Sequence, residues 1–478
     1  MARRTKIVAT LGPATDADAA LADLMAAGVD LVRVNFSHGG FDDHARRIER
    51  ARAAAAKAGR VVGILGDLRG PKVRIERFAT GRATLVEGER FTLDPAHDPA
   101  NGTDLVVGVA YESLPRDVRA GDTLLLNDGL ISLEVTGVEG TQVRTKVLTG
   151  GELSDMKGLN KLGGGLSAGA LTAKDREDIA MAARLGVDYL AVSFVRDRRD
   201  IAEAWDLLRS AGGEGRIVAK IERREAIDNL ESIVDETAAV MVARGDLGVE
   251  VGYAELTGLQ KRIIALARAR SRLVITATQM MESMIHAPVP TRAEVSDVAN
   301  AVMDDTDAVM LSAETAVGRH PGRVVRAMAQ VIEGAEKWQQ SNRPELRSDG
   351  QFQRTDEAIA AAVMYTANHL DVRAIVALTE SGSVALWMSR MRSDIPIYAF
   401  TRHAATQRRV TLYRGVYPVD FDVTHPRPEK IYAAIFDRLM QDGLAAEGDL
   451  IIVTKGEFSG VSGGTNSMKI LKVQRQAA

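Results

Sequence analysis

Eight short apolar runs, most of them separated from the next by an amphipathic helical stretch, constrain this chain more than any other feature. They are TKIVATLG from Thr5, DLVRVNFSHG from Asp30, RVVGILGDL from Arg60, DYLAVSFV from Asp188, RIVAKIE from Arg216, AVMVARGDLG from Ala239, RLVITATQM from Arg272 and DAVMLSAET from Asp307. Near-continuous Val, Ile and Leu, rather than strict alternation, marks parallel strands covered on both faces, and their alternation with helical segments is the βαβ pattern. Eight such units close into a (β/α)8 TIM barrel of the α/β class, which carries its functional groups at the C-terminal ends of its strands.

The polar residues collect at those ends. In order they are Arg33, Asn35, Ser37, His38, Asp67, Ser193, Lys220, Glu222, Arg244, Asp246, Thr278 and Glu314. A charged strand end is by itself most often a solvated turn, so the weight lies on the convergence. Two carboxylates on neighbouring strands, Glu222 and Asp246, suit a hard cation that keeps several waters and accepts substrate oxygens, as magnesium does. Arg33 and Lys220 supply positive charge for a phosphate.

A chain of 478 residues is too long for one hydrophobic core. The texture divides it into a barrel over 1–70 and 169–339, an inserted β unit over 71–168 and a C-terminal α/β unit over 340–478. The insert shows short alternating runs, KVRIERF, RATLVEGERFTLD, DTLLLNDGLISLEV and QVRTKVL, with Asp128-Gly129 as a hairpin signal. This reads as a small β-barrel lid on a βα loop, placed to close over the site and exclude water. The Gly-rich return, GGELSDMKGLNKLGGG, reads as its hinge or as a plain flexible linker. Beyond the polar stretch QQSNRPELRSDGQFQRTDE, VRAIVALTESGSVALWMSR is a strand, a Ser-Gly-Ser loop and a helix, and GEFSGVSGGTNS is a second Gly/Ser loop. Two such loops at the carboxyl edge of one open sheet can converge on a phosphorylated ligand.

A net charge of −3 leaves no footprint for nucleic acid or an anionic membrane, so the expected partners are small anions. With no cysteine there is no disulfide framework or thiolate chemistry, in keeping with a cytoplasmic location. No run is long enough to span a membrane, and MARRTKIVATLGP, whose apolar part stops at Gly12-Pro13, reads as the first strand rather than a signal peptide.

With these residues assembled, the chain resembles the pyruvate kinase family over essentially its whole length. The matching motifs are KIVATLGPAT, VRVNFSHG, GDLRGPKVR, KIER, MVARGDLGVE, ITATQMMESM, PTRAEVSDVANAVMD and DAVMLSAETAVGRHP. Within the family, ALTESG and TRHAATQRR in the last unit are similar to the bacterial branch activated by AMP or a sugar monophosphate. The resemblance implies phosphoryl transfer from phosphoenolpyruvate to ADP, giving pyruvate and ATP, with Lys220, Arg33 and Thr278 catalytic. It implies magnesium, with manganese as an alternative, on Glu222 and Asp246. Backbone groups of Ala243, Arg244, Gly245 and Asp246, with Thr278, would take the substrate carboxylate, and Asn35, His38, Arg74 and Lys157 would serve the nucleotide. Thr379, Ser381, Gly382 and Ser383 would hold the phosphorylated effector, and the assembly would be a homotetramer.

One departure from the family pattern bears on cofactors. Potassium-dependent members hold that ion with counterparts of Asn35, Ser37, Asp67 and the backbone at Leu68, and carry Glu in a Gly-Pro-Glu motif where this chain has Gly70-Pro71-Lys72. They also tend to carry hydroxyl residues where this chain has Leu68 and Ile75. The expectation is that the Lys72 ammonium replaces potassium, which is then not required. On residues alone, Arg33 could pair structurally with a barrel acid, His38 could cap a helix and Lys157 could be solvated. Two rival functions stay in view. A magnesium-dependent barrel lyase or aldolase on a pyruvate-type substrate would not need a lid carrying Arg74 and Lys157. A catalytically inactive metabolite sensor should have lost Lys220, Glu222 or Asp246, and all three are present.

Overall fold

In a computed structural model of the chain, the described residues are 3–341, 352–422, 428–456 and 463–475. Each of the eight apolar runs supplies one strand of a closed parallel barrel, in ring order Lys6–Thr10, Leu31–Asn35, Gly63–Asp67, Tyr189–Val192, Arg216–Ile221, Ala239–Ala243, Leu273–Ala277 and Ala308–Leu311. Closure comes from the pairing of Lys6 with Ala308 through Ala9 with Leu311. Strands such as Ala239–Ala243 are buried at every position, which is why they are apolar without alternation. The register sets Asn35 beside Asp67 and Asp67 beside Ala191, so the ends of three successive strands stand level.

The inserted unit forms a six-stranded sheet, ordered Leu159–Lys161, Thr123–Leu126, Ile131–Glu139, Gln142–Thr149, Arg90–Asp94 and Val106–Gly108, with Arg82–Leu85 and Gly151–Ser154 paired beside it. It has its own apolar cluster, including Phe91, Leu124, Leu133 and Val143. Strand Gln142–Thr149 alternates buried and exposed residues, as a sheet with one dry face requires. The hairpin falls at Asn127, Asp128 and Gly129, all with positive φ, between the paired Leu126 and Ile131.

Two sequence expectations change here. KVRIERF is no strand and makes only isolated bridges, Arg74 to Gly158, Ile75 to Val109 and Phe78 to Gly102. The Gly-rich return is partly sheet, since Gly151–Ser154 and Leu159–Lys161 are both paired strands. Left-handed backbone in its last part is confined to Gly163, Gly164 and Gly165. Cross-strand partners distant in sequence supplied the hydrogen bonds that a local reading of glycine did not anticipate.

The C-terminal unit is an open five-stranded sheet ordered Val416–Asp420, Ile397–Thr401, Ala374–Leu378, Leu450–Gly456 and Thr465–Lys472, the last antiparallel. Its two edges, Val416–Asp420 and Thr465–Lys472, are the strands that local patterning reveals least. Pro418 lacks an amide proton and reads as a breaker, yet an edge tolerates it, and Thr465–Lys472 is mostly polar and exposed. Residues 342–351 of the polar stretch and 457–462 of the second Gly/Ser loop lie outside the described residues. This unit covers the N-terminal mouth of the barrel: inward-facing Val8, Leu65, Tyr189, Met241 and Met310 belong to one apolar cluster with Leu412 and Tyr413.

Candidate active site

At the opposite mouth, a buried ionic cluster is built from five strand ends. Arg33 Nε donates to Asp67 Oδ2 at 2.6 Å, and its Nη1 donates to Thr10 Oγ1 at 3.1 Å. Lys220 Nζ lies 3.3 Å from Asp67 Oδ1, 2.9 Å from Glu222 Oε1 and 2.7 Å from Ser193 Oγ. Ser193 in turn donates to the Leu68 carbonyl at 2.7 Å, and Glu222 Oε2 accepts the Phe194 amide at 2.7 Å. These side chains meet because parallel strands in register deliver their C-terminal ends to one rim.

The charges follow from this packing. Burial opposes the ammonium of Lys220, but the carboxylates of Asp67 and Glu222 outweigh it and hold its pKa above the usual lysine range. Burial would raise Asp67, yet Lys220 and Arg33 keep it below the ordinary carboxylate value. Glu222 moves the other way. Burial raises its pKa, Lys220 works against that, and the negative charge of Asp246 adds to the rise.

That last effect is a test of cation fit. Two carboxylates close enough to repel, one of them buried, are relieved by a hard cation between them. Among the described residues no group of three or more His, Cys, Asp or Glu could hold a metal. A pair of carboxylates therefore suits an ion that takes its remaining ligands from water and substrate, and magnesium does so.

Asp246 sits in the first turn of helix Arg244–Val251, where its Oδ1 accepts from Lys72 Nζ at 2.9 Å. Asp128 on the hairpin tip lies 3.8 Å from the same ammonium, so Lys72 stands between barrel and insert. Thr278 has φ of +68° and Gln279 of +54°, and a β-branched residue in the left-handed region is strained. The turn aims Thr278 Oγ1 back at the helix, accepting the Gly245 amide at 2.8 Å and donating to the Ala277 carbonyl at 2.6 Å. Gly70 has φ of +68°, and a Cβ there would come 2.7 Å from Ser193 Cβ, so this turn admits only glycine.

Other residues singled out from the sequence stand apart from this cluster. The Arg244 guanidinium is engaged by both Asp297 oxygens at 2.7 and 2.6 Å and by the Thr278 carbonyl at 2.6 Å, which leaves its backbone as the part available to a ligand. Asn35 Oδ1 accepts the Ser37 amide at 3.1 Å, His38 is exposed, and Arg74 donates to the Met156 carbonyl at 2.9 Å within the insert. Lys157 is half-buried and its carbonyl accepts the Ile75 amide at 2.9 Å. Glu314 is buried and accepts the Met281 and Ser312 amides, a structural role. In the C-terminal unit Thr379 Oγ1 accepts the Gly382 amide at 2.9 Å, and Ser383 opens helix Ser383–Ser389. Sequence reasoning missed Asp297 and Glu250, each inside a quoted motif. Nothing local distinguishes an acid that clamps an arginine from one on a solvated face.

A family model described as pyruvate kinase, barrel domain, matches residues 2–325, and one described as pyruvate kinase, alpha/beta domain, matches 357–471. The chain belongs to the pyruvate kinase family. It is 52% identical over 476 residues to pyruvate kinase II of Salmonella typhimurium, covering 99% of each protein. It is 51% identical over 458 residues to a pyruvate kinase of Haemophilus influenzae, covering 95% of this chain and 96% of that one. Against a pyruvate kinase of Geobacillus stearothermophilus it is 41% identical over 474 residues, 98% of this chain and 80% of that one. Full-length identity of this order makes the chain a phosphotransferase of the pyruvate kinase type. No helix among the described residues is long and apolar enough to cross a membrane.

Proposed function

We propose that the chain transfers the phosphoryl group of phosphoenolpyruvate to ADP as the last step of glycolysis, with the rim cluster around Lys220 as its centre. The observation that carries this is a lysine kept cationic by Asp67 and Glu222 at a barrel end, beside the carboxylate pair of Glu222 and Asp246. The bond from the enol oxygen to phosphorus breaks, a bond from an ADP phosphate oxygen to phosphorus forms, and the enolate left behind takes a proton at carbon. Lys220 and Arg33 compensate charge on the phosphoryl group as it moves, and fixed, dry charges do this without reorganising. Magnesium, or manganese in its place, would be held by Glu222 and Asp246 and would neutralise substrate oxygens.

Backbone groups from Ala243 to Asp246 orient the substrate carboxylate. Thr278 positions the carbon that is protonated; a threonine hydroxyl is a weak acid, so the proton comes through a water relay beneath it. Asn35, His38, Arg74 and Lys157 serve ADP and ATP, with the 71–168 unit as a lid on the barrel of 1–70 and 169–339. Potassium is not required at Asn35, Ser37, Asp67 and Leu68, because the Lys72 ammonium at Asp246 provides the cation in its place. Regulation is by AMP or a sugar monophosphate at Thr379, Ser381, Gly382 and Ser383 in the 340–478 unit, within a cytoplasmic homotetramer.

The test is pyruvate formation from phosphoenolpyruvate and ADP with magnesium in potassium-free buffer, comparing the native chain with Lys220→Met. Activity that collapses in the variant supports both the site and the role of Lys72. Activity that appears only with added potassium overturns the Lys72 reading, and none under either condition overturns the kinase reading.

A further inference from the structure

At the N-terminal mouth of the barrel, away from Lys220 and Asp246, three arginines from three elements stand together. Arg209 is in the last turn of helix Arg198–Ser210, Arg216 opens strand Arg216–Ile221, and Arg409 lies on helix Ala404–Val410 of the C-terminal unit. The guanidinium of Arg209 is 5.0 Å from the centroid of the Trp205 ring and that of Arg216 is 5.9 Å from it. Arg409 is anchored by its carbonyl, which accepts the Tyr189 hydroxyl at 2.7 Å, while its Nε is buried without a hydrogen-bond partner.

The rest of this junction pairs its arginines with acids. Arg408 meets Asp188 at 2.9 Å, Arg414 meets Asp305 at 3.1 Å, and Arg390 meets Asp307. The trio has no such partner among the described residues. Burial and then Arg409 weaken the hold of Arg216 on its proton. Its other titratable neighbours are the buried Tyr413 and Tyr189, followed by Arg209, and the carboxylate of Asp188, whose carbonyl accepts the Arg216 amide at 2.9 Å, is paired with Arg408. Like charges held together in a partly buried recess are unfavourable unless an anion joins them. The planar fork of a guanidinium matches phosphate oxygens two at a time, and three forks from separate directions suit a compact dianion.

We propose that Arg209, Arg216 and Arg409 form a binding site for the phosphoryl group of a small phosphorylated metabolite, bridging the barrel to the C-terminal unit. None of the three belongs to the Thr379–Ser383 loop, although that loop packs on the same helix, Thr406 Oγ1 donating to the Glu380 carbonyl at 2.7 Å. Its occupancy would draw helix Ala404–Val410 toward the base of strand Tyr189–Val192. The other end of that strand leads to Ser193, which accepts from Lys220 at 2.7 Å. Ligand at this site and substrate at the other mouth then affect each other's affinity equally.

The experiment titrates the full chain with ribose 5-phosphate and, separately, inorganic phosphate, followed by calorimetry and by Trp205 fluorescence with Trp205→Phe as control. Arg209→Gln and Arg409→Gln are compared with the Ser381→Asp/Ser383→Asp double variant. Arg209 is exposed, so its substitution leaves the fold intact, and unchanged basal activity verifies this for both arginine variants. The expected result is low-millimolar or tighter binding that weakens at least tenfold in each arginine variant and with added salt, and persists in the serine variant. Ribose 5-phosphate binding more tightly than inorganic phosphate assigns a phosphate monoester, and equal binding assigns the phosphoryl group alone. Unchanged affinity in the arginine variants, a loss confined to the serine variant, or no binding by the native chain overturns the proposal.

Discussion

Glu250→Gln should make the protein more stable at pH 8 while leaving it nearly unchanged at pH 4. Glu250 is buried in helix Arg244–Val251, where its Oε2 accepts the Arg224 amide at 3.0 Å and its carbonyl accepts the Gly163 amide at 2.8 Å. Burial pushes its pKa from 4.5 to about 7, with the Glu225 charge adding to the rise and the Arg224 amide, Arg223 and Asn160 acting against it. Between these two values the folded protein binds a proton that the unfolded chain has released, so stability falls as pH rises through the window. At about 1.4 kcal/mol per pKa unit, the loss is about 3 kcal/mol and is complete by roughly pH 8. Glutamine keeps an acceptor oxygen and carries no charge. The stability difference between variant and native chain should therefore grow from near zero at pH 4 to about 3 kcal/mol at pH 8. Urea midpoints from pH 4 to pH 9 measure it, with hydrogen exchange at the Gly163 amide as a local reading. A difference that stays flat across that range refutes the reasoning.

Asp67→Asn leaves Lys220 and Arg33 without their shared carboxylate. At 3.3 Å and an effective dielectric of about 20 the lost attraction to Lys220 is about 5 kcal/mol, so a stability cost of about 3–5 kcal/mol is expected in urea unfolding. Because Asp67 titrates below the ordinary 3.8, that contribution is present above this pH and disappears only as pH falls through its lower folded value. Lys72→Glu should lose most pyruvate-forming activity in potassium-free buffer and regain part of it when potassium is added; equal activity with and without potassium would show that charge at this position is immaterial. Ser381→Asp with Ser383→Asp should abolish activation by AMP or a sugar monophosphate while sparing the rate at saturating substrate, and activation curves unchanged from the native chain would place the effector elsewhere.

The barrel was legible because parallel strands buried on both faces must be apolar throughout, and eight such runs leave few alternatives. For the same reason the polar residues of its C-terminal rim could be named one by one, since polar groups at the ends of apolar strands have one mouth to face. What the residues could not show is who meets whom. Arg33 and Arg244 are both strand-end arginines, yet one joins Asp67 and Lys220 while the other turns to Asp297 on helix Arg292–Met303. That choice depends on helix placement around the barrel, which no local pattern encodes. Pro418 and the strand Thr465–Lys472 escaped notice because edge strands relax the rules by which interior strands are recognised. The raised pKa of Glu250, and the bare cluster of Arg209, Arg216 and Arg409, exist only after folding, when burial removes water and sets charges from distant segments against one another. Periodicity and residue type determined the layers and the rim; the tertiary structure decided every pairing of charge within them.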